Sequence, residues 1–259
     1  MKYIFLIDID GTLIPIYGKR VPKETGETIK ELQKKGYKFA IATGRSLGST
    51  QKVEGTSSFD YFACLMGLVI HDNFRQKSLQ KLNLLDNDAA KELIDYFINE
   101  KRWWLYKDSF GDYTLIDDKD FMSYHNLKLA NLQKLENDVK EKNIFQIFVS
   151  GEVDKNIIEK YSDKFEFVCV PNGQNGVNYD ISAKGVDKSF IVKYFKENFK
   201  DYTIVAIGDS DNDIGMLKTA DISVAMSNAS ESIKNICDIV IDSCENNGVE
   251  KFLREFIKQ

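Results

Sequence analysis

The sequence is poor in the residues that build zinc sites: its 259 residues include four cysteines and two histidines. No two cysteines form a Cys-x-x-Cys pair, so we do not expect a zinc site. Most of the cysteines lie in apolar runs, which is typical of buried, reduced thiols in a cytoplasmic protein. The four are Cys64, Cys169, Cys237 and Cys244.

Long apolar runs and an excess of positive charge are also missing. No stretch approaches the roughly 18 apolar residues that a membrane-spanning helix needs. The apolar run near the N-terminus meets Asp8 after five residues, which is too short for a signal peptide. The net charge is -5 and the pI about 5.3, so nothing indicates binding to nucleic acid or to an anionic membrane. We therefore expect a cytoplasmic protein that binds neither.

The sequence does contain an alternation of short apolar runs with amphipathic segments. Apolar runs at residues 3–7, 37–42 and 202–207 predict buried strands, each followed by a helical pattern. Strands that alternate with helices predict a Rossmann-like α/β fold, in which helices cover a parallel sheet. Between the second and third runs lies a stretch with a different, α+β pattern. We therefore predict a core domain at residues 1–83 and 184–259, and an inserted α+β domain at residues 84–183.

Three of the predicted strands end in side chains that carry a charge or a hydroxyl group. The first ends at Asp8 and Asp10, the second at Thr43, and the third at Asp209 and Asp213. A single Asp-x-Asp after a strand is as often a plain acidic turn. Ligands of open parallel sheets bind beyond the carboxyl ends of the strands, however. The convergence of three such ends therefore favours a binding pocket.

Carboxylates gathered at one edge of a sheet repel one another. Two unit charges about 4 Å apart cost roughly 4 kcal/mol at an effective dielectric constant of about 20. A hard divalent cation would offset this repulsion, and an all-oxygen set of ligands suits Mg²⁺. Lys184 and Lys188 lie near the third cluster. Magnesium combined with a lysine and a hydroxyl group is typical of phosphate-binding sites.

Together these residues resemble the four motifs of the haloacid dehalogenase superfamily of phosphatases, and they occur in the same order. The motifs read Asp8-Ile9-Asp10-Gly11-Thr12-Leu13, Thr43, Lys188 and Gly208-Asp209-x-x-Asn212-Asp213. Thr43 follows Asp8 by 35 positions, which leaves no room for an inserted domain, whereas Lys188 follows Thr43 by 145 positions. An insertion at that point resembles the Cof-type subfamily, whose members carry an α/β cap and act mostly on sugar phosphates and related compounds.

The resemblance implies a role for each motif residue. Asp8 would be the nucleophile that forms an aspartyl-phosphate, and Asp10 would protonate the leaving oxygen and then activate water. Thr12 would help to hold Asp10, and Asp213 would orient Lys188 or a metal-bound water.

The other implied roles concern the cofactor and the phosphate group. The cofactor would be Mg²⁺, with Asp8, the backbone carbonyl of Asp10, and Asp209 as ligands. The phosphate group would be bound by Thr43, the amide of Gly44, Asn212 and Lys188, which would also neutralise Asp8.

The sequence departs from the family pattern at Met66-Gly67 and around Lys188. Met66-Gly67 stands where many relatives carry Asn-Gly, which affects a polar contact near the floor of the site and not the core chemistry. Lys188 is assigned the catalytic role because it follows a glycine by three residues and starts a helix, and Lys184 is the alternative. Arg45 is left out of the site, because an arginine that starts a helix is as often a surface salt-bridge partner.

Three functions are compatible with these motifs. The first is Mg²⁺-dependent hydrolysis of phosphate monoesters, with the inserted domain as a cap that excludes water and selects the leaving group. The second is a phosphotransferase or mutase reaction through the same aspartyl-phosphate, and the third is non-catalytic sensing of a phosphorylated ligand. All four motif positions are occupied, which favours an enzyme. We expect a small phosphorylated metabolite as the partner, and a monomer or homodimer.

Overall fold

The structure, a computed structural model, describes residues 2–15, 18–125, 127–171 and 176–256. Its strands are β1 (Lys2–Ile7), β2 (Lys38–Ala42), β3 (Tyr61–Cys64), β4 (Val69–Asp72), β5 (Lys77–Lys81), β6 (Trp104–Lys107), β7 (Asp112–Thr114), β8 (Lys128–Leu129), β9 (Gln146–Ser150), β10 (Phe165–Pro171), β11 (Val177–Ala183), β12 (Tyr202–Gly208), β13 (Ile222–Met226) and β14 (Ile239–Ile241). Its helices are α1 (Lys23–Lys34), α2 (Leu47–Gln51), α3 (Asn87–Asn99), α4 (Lys119–His125), α5 (Leu132–Lys140), α6 (Lys155–Tyr161), α7 (Ser189–Asn198), α8 (Ile214–Thr219), α9 (Glu231–Lys234) and α10 (Gly248–Phe256). None of the helices in the described ranges combines the length and apolar composition that a bilayer crossing requires.

The chain divides into two compact units. The first consists of Met1–Lys81 and Asp187–Gln259, and the second of Leu82–Val186. The two segments of the first unit are joined because β1 pairs in parallel with β12 along its whole length.

The first unit contains an eight-stranded sheet in the order β14-β13-β12-β1-β2-β3-β4-β5. The strands from β14 to β3 run parallel, which confirms the predicted α/β fold with a parallel core sheet. Strands β4 and β5 are antiparallel additions at one edge. The turn Leu65–Gly67 leads almost directly from β3 into β4, and such a short link cannot make the long crossover that a parallel neighbour requires.

Strand β1 shows how both faces of this sheet are covered. Its side chains alternate between the faces. Ile4 and Leu6 belong to a buried cluster that includes residues of α7 and α8. Phe5 points to the other face, where its ring meets that of Phe256 on α10 edge-on at 5.3 Å. The same alternation places Asp8, the residue after β1, on the α7 face.

The second unit contains a six-stranded sheet in the order β10-β11-β9-β6-β7-β8. Its pairs are antiparallel except for β7 with β8. Trp104 and Tyr106 on β6 are buried, as are Leu93 and Phe97 on α3. Trp103, which precedes β6, is instead 46% exposed. The second unit thus has the α+β character that its sequence pattern predicts, with buried apolar residues of its own.

His71 on β4 is a buried titratable residue in the first unit, and its ring stacks on that of Phe62 at a centroid distance of 6.4 Å. In the described part of the chain, neither ring nitrogen has a hydrogen-bond partner of ordinary geometry. Burial lowers the pKa of His71 from 6.5, and the charge of Asp72 and the side chain of Gln76 together oppose only part of that shift. The folded protein therefore disfavours protonation of this imidazole.

Replacing His71 with Leu should make stability less sensitive to acid. The unfolded wild-type chain takes up a proton at this residue near pH 6.5, and the folded chain takes it up only at lower pH. Keeping His71 neutral therefore contributes to the stability of the fold above about pH 6.5. This contribution is lost as the pH falls from there through the lower pKa of the folded state. Between about pH 7.5 and about pH 5.5, the free energy of unfolding in urea should fall less in His71→Leu than in wild type. Equal falls would mean that the His71 ring is solvated in the folded state.

Candidate active site

Asp8 lies directly after β1, on the face that α7 covers. Only 4% of the residue is exposed. Its Oδ1 accepts a hydrogen bond of 2.6 Å from Nζ of Lys188. Burial raises the pKa of Asp8, and the ammonium group of Lys188 opposes part of that rise. Asp8 is thus a buried carboxyl group, and the charge of Lys188 stabilises its ionised form.

Lys188 immediately precedes α7 and is fully buried. Its Nζ lies 2.6 Å from Oδ1 of Asp8 and 2.6 Å from Oδ1 of Asp213. Burial lowers the pKa of Lys188, but Asp213 and Asp8 more than offset this, so the pKa lies above its ordinary value and the group stays charged. Lys184 instead pairs with Glu166 of the second unit at 3.4 Å and is 55% exposed. The fold brings Lys188, and not Lys184, to Asp8.

The loop after β12 holds Asp213 in place. Ser210 and Asp213 form a capping box at the start of the short turn that follows. Oδ2 of Asp213 accepts hydrogen bonds of 3.1 Å from the backbone amides of Asp209 and Ser210. The other carboxylate oxygen is left to accept the hydrogen bond from Lys188. Asp213 therefore orients Lys188 by anchoring it to the backbone of this loop.

Asp209 links the loop after β12 to the turn after β1. Its Oδ1 accepts a hydrogen bond of 2.7 Å from the hydroxyl of Thr12. Burial raises the pKa of Asp209 to about 6, and the hydrogen bond from Thr12 opposes that rise. We expected Thr12 to hold Asp10, and this detail is corrected: Thr12 holds Asp209. The left-handed backbone of Gly11, with φ of +84°, turns the chain so that the next side chain faces the loop after β12.

Gly11 also permits a close approach between these two segments. A Cβ atom at this position would overlap with the carboxylate of Asp209. Gly11→Ala should therefore destabilise the fold by about 1–3 kcal/mol, because it adds backbone strain and displaces Asp209. Gly36→Ala is the matched control, since its φ is +89° but a Cβ there meets nothing within 4 Å. Urea unfolding should show the larger loss for Gly11→Ala, and equal losses would contradict the close approach.

The carboxylates of this site have the chemistry of a metal centre. One oxygen from each of Asp8, Asp209 and Asp213 lies within 4.8 Å of the others. Asp213 already accepts hydrogen bonds from Lys188 and two amides, so Asp8 and Asp209 are the carboxylates better suited to a cation. The raised pKa of Asp209 agrees with this, because burial makes its negative charge unfavourable in the absence of a cation. Oxygen donors of this kind fit a hard divalent ion such as Mg²⁺.

Arg45, left out of the site above on sequence grounds, binds Asp10. Its Nε donates to Oδ2 of Asp10 at 2.8 Å, and its Nη2 donates to Oδ1 at 2.5 Å. This two-point pairing is the strong geometry of an arginine with a carboxylate. The expected salt bridge of Arg45 therefore exists, but its partner is a candidate catalytic residue. Arg45 belongs to the site.

Besides Lys188, the residues predicted to bind phosphate lie at the same edge of the sheet, after two neighbours of β1. Thr43 is buried directly after β2, and its hydroxyl oxygen accepts a hydrogen bond of 3.2 Å from the amide of Arg45. Gly44 lies between them. Asn212 is exposed in the loop after β12, where its side-chain oxygen accepts a hydrogen bond of 2.9 Å from Ser210. Their contacts with a phosphate group remain predictions.

Asn228 is a residue of this site that the motifs do not reveal. Its side-chain amide donates to the carbonyl of Gly11 at 2.9 Å and to Oδ2 of Asp209 at 3.4 Å. Its oxygen accepts a hydrogen bond of 3.2 Å from the amide of Cys244. Asn228 follows β13, the neighbour of β12, so the rule that polar residues follow strands at one edge would have identified it.

A parallel sheet whose carboxyl edge gathers aspartates around a buried lysine is the framework of an α/β enzyme. A family model of haloacid dehalogenase-like hydrolases matches residues 5–253, nearly the whole chain, so the chain belongs to this family. The predicted placement among Cof-type phosphatases of the haloacid dehalogenase superfamily is confirmed. The prediction of a hydrolase is confirmed with it.

Relatives with curated names are similar to different extents of the chain. The chain is 24% identical to the 5-amino-6-(5-phospho-D-ribitylamino)uracil phosphatase of Bacillus subtilis, in a match that covers 98% of this chain and 97% of the relative. It is 37% identical to a phosphoglycolate phosphatase of Methanopyrus kandleri over 101 residues. That second match covers 38% of this chain and 41% of the relative.

Solved structures agree in fold over the full length. A haloacid dehalogenase-like hydrolase from Bacteroides thetaiotaomicron superimposes with a TM-score of 0.82 at 20% identity, covering 99% of this chain and 100% of that one. A sugar phosphatase of HAD subclass IIB superimposes with a TM-score of 0.77 at 21% identity, covering 99% of each chain. At these identities the likeness establishes the fold alone.

Proposed function

We propose that this protein hydrolyses phosphate monoesters of small polar metabolites, with sugar phosphates as the first class to test. The observation that carries the proposal is the buried ammonium group of Lys188, which lies 2.6 Å from Asp8. That cation suits a site where a carboxylate must approach a negatively charged phosphoryl group. The names of the relatives, which act on phosphorylated sugar derivatives and on phosphoglycolate, support the same substrate class.

The proposed reaction has two steps. First, an oxygen of Asp8 bonds to phosphorus while the ester P–O bond breaks, and Asp10 gives its proton to the leaving oxygen. Second, Asp10 takes a proton from water, the water oxygen bonds to phosphorus, and the bond from Asp8 to phosphorus breaks. Inorganic phosphate leaves, and both carboxyl groups return to their starting state.

The remaining residues compensate charge and fix geometry. Asp8, Asp209 and the backbone carbonyl of Asp10 are the proposed ligands of Mg²⁺, which would neutralise the phosphoryl oxygens when bound. Thr12 and Asn228 hold Asp209 in position. The phosphoryl group would be held by Thr43, the amide of Gly44, Lys188 and Asn212.

The pairing of Asp10 with Arg45 affects its proposed role. Arg45 occupies both carboxylate oxygens of Asp10. One of these oxygens must therefore be released before Asp10 can pass a proton to the leaving group. We assign Arg45 as the residue that positions Asp10 between turnovers. The second unit, Leu82–Val186, is proposed as the cap domain that supplies substrate specificity.

The test is phosphate release from purified protein given sugar phosphates, phosphoglycolate, 5-amino-6-(5-phospho-D-ribitylamino)uracil and p-nitrophenyl phosphate. Each reaction is run with Mg²⁺, with EDTA, and with Mg²⁺ restored after EDTA. We expect turnover that EDTA abolishes and Mg²⁺ restores. No phosphate release from any substrate by folded protein would contradict hydrolysis. Faster transfer to an added sugar acceptor than to water would instead support a phosphotransferase.

A further inference from the structure

The turn after β3 has a backbone conformation that its residues do not favour. Leu65 and Met66 have φ of 51° and 59°, and Gly67 follows with φ of 94°. Left-handed conformations are uncommon for large side chains and cost of order 1 kcal/mol each. Such strain persists where the surroundings enforce it, and it is concentrated at functional sites.

This turn is tied to the segment that is proposed to bind phosphate. The amide of Met66 donates to the carbonyl of Thr43 at 3.1 Å, and the amide of Leu65 donates to the carbonyl of Arg45 at 3.0 Å. The carbonyl of Gly67 accepts a hydrogen bond of 2.8 Å from the side chain of Gln80. The first two hydrogen bonds hold the left-handed turn against the backbone on both sides of Gly44, and the third ties the turn to β5.

The turn also touches the helix that begins after Lys188. A Cβ atom on Gly67 would lie 2.8 Å from the backbone nitrogen of Ile191, in the first turn of α7. Gly67 is therefore required for this approach. The turn is fixed between the Thr43–Arg45 segment and α7, so the direction of the Cα–Cβ bond of Met66 is fixed as well.

The side chain of Met66 covers Gly44. Its methyl carbon Cε lies 2.9 Å, and its sulfur 3.7 Å, from the position that a Cβ of Gly44 would occupy. The residue is only partly buried. Gly44 lacks a side chain at the point where this methyl group sits, so the thioether forms one wall beside the proposed phosphate-binding segment.

We propose that Met66 contacts the leaving group and, among small phosphorylated metabolites, favours those that present an apolar, carbon-rich face next to the phosphoryl group. This inference rests on the proposed function. A thioether is a weak acceptor and has no hydrogen-bond donor, so it contacts carbon better than hydroxyl groups. Asn would fit the backbone conformation more easily than Met. The left-handed backbone thus gives no reason for a Met at this position. The structure therefore assigns the role of Met66 to the contacts of its side chain.

The test compares Met66→Gln, a polar side chain of the same length, with Met66→Leu, an apolar one. For each protein, kcat/KM is measured with p-nitrophenyl phosphate, whose leaving group is apolar, and with glucose 6-phosphate, whose leaving group is hydroxylated. The ratio of the two values should fall by about tenfold in Met66→Gln, as expected for loss of an apolar contact. It should change by less than about twofold in Met66→Leu.

Met66→Asn separates the side chain from the backbone strain. Asn tolerates a left-handed conformation, so the melting temperature of Met66→Asn should be the same as that of wild type or up to about 2 °C higher. The kcat/KM ratio should fall as it does in Met66→Gln. If Met66→Gln still hydrolyses both esters and the ratio is unchanged, the inference about Met66 is overturned but the proposed function is not. Equal falls in Met66→Gln and Met66→Leu would also overturn it, because polarity would then not matter. Wild type that hydrolyses other phosphate monoesters but neither of these two would overturn the inference and leave the proposed function standing. Wild type that releases phosphate from no substrate of the whole panel would overturn the proposed function, and the inference with it.

Discussion

Asp8→Asn is expected to lower kcat for phosphate release by at least about 10⁴-fold, the scale on which loss of a nucleophile acts. An amide of the same shape cannot attack phosphorus or form an acyl phosphate. The fold should survive, because burial raises the pKa of Asp8 and its negative charge is therefore costly. Lys188 would also keep its hydrogen bond to Asp213. Steady-state kinetics and thermal unfolding of the same preparations separate the two effects.

The matched control for Asp8→Asn is Asp211→Asn. Asp211 is an exposed acid in the loop after β12, close in sequence to Asp209 and Asp213 but without an assigned role. Its replacement makes the same chemical change and should leave kcat within about twofold of wild type. If Asp8→Asn retained wild-type turnover in a preparation free of other phosphatases, the nucleophile would have to be another group.

Lys188→Met is expected to have the second largest effect, on both activity and stability. Met has a similar length but no charge, so Asp8 and Asp213 would remain buried without their shared cation. Leaving buried charges unpaired costs about 3–5 kcal/mol of unfolding free energy. Loss of the charge that faces the phosphoryl group should lower kcat by at least about 10³-fold. Urea unfolding and steady-state kinetics measure the two losses.

The stability loss in Lys188→Met should depend on pH in a defined direction. Without the ammonium group, burial raises the pKa of Asp8 further above its ordinary value of 3.8. A carboxyl group with a raised pKa in the folded state contributes stability at low pH, and that contribution is lost as the pH rises through the folded-state pKa. The deficit relative to wild type should therefore be smaller at about pH 5.5 than at about pH 8.5.

Lys184→Met is the control for Lys188→Met. Lys184 carries the same charge four residues earlier, but it is 55% exposed and pairs with Glu166. An exposed ion pair contributes about 0–1 kcal/mol, so stability and turnover should both stay close to wild type. If Lys184→Met abolished activity while Lys188→Met did not, the assignment of the lysine motif would be reversed.

The sequence allowed the central geometry to be predicted because it follows from strand alternation and parallel topology. An apolar run ending in Asp8 implies a buried strand with a carboxylate at its carboxyl end. Parallel pairing of β1 with β12 then brings that residue to the loop that contains Asp213. Lys188 is assigned from the family motif. Its burial between the two aspartates depends on tertiary contacts, which no local sequence pattern indicates.

Contacts made by the loops could not be predicted in the same way. Thr12 holds Asp209 instead of Asp10 because of the backbone turn at Gly11. Arg45 reaches Asp10 from a turn 35 residues further along the chain. Both pairings depend on where a loop directs its side chains, and neither strand nor helix periodicity reports that direction.

Short or exposed strands could not be predicted from the sequence either. Strand β5 reads Lys-Ser-Leu-Gln-Lys and is almost entirely exposed, so it lacks the apolar alternation that marks a half-buried strand. Strand β8 consists of two exposed residues. The antiparallel direction of β4 is set by the short Leu65–Gly67 turn rather than by any difference in its own apolar pattern.

The central claim is that Asp8 becomes phosphorylated, and the most direct measurement is acid-quench mass spectrometry of the intact protein during turnover. Wild-type protein mixed with substrate and Mg²⁺ should carry one additional phosphoryl group, which peptide mapping should place on Asp8. With p-nitrophenyl phosphate, whose leaving group needs no protonation, Asp10→Asn should accumulate more of this adduct, because the group that activates water in the second step is missing. Asp8→Asn should carry none. Phosphate release from wild type without any adduct at Asp8, at quench times shorter than one turnover, would contradict the account.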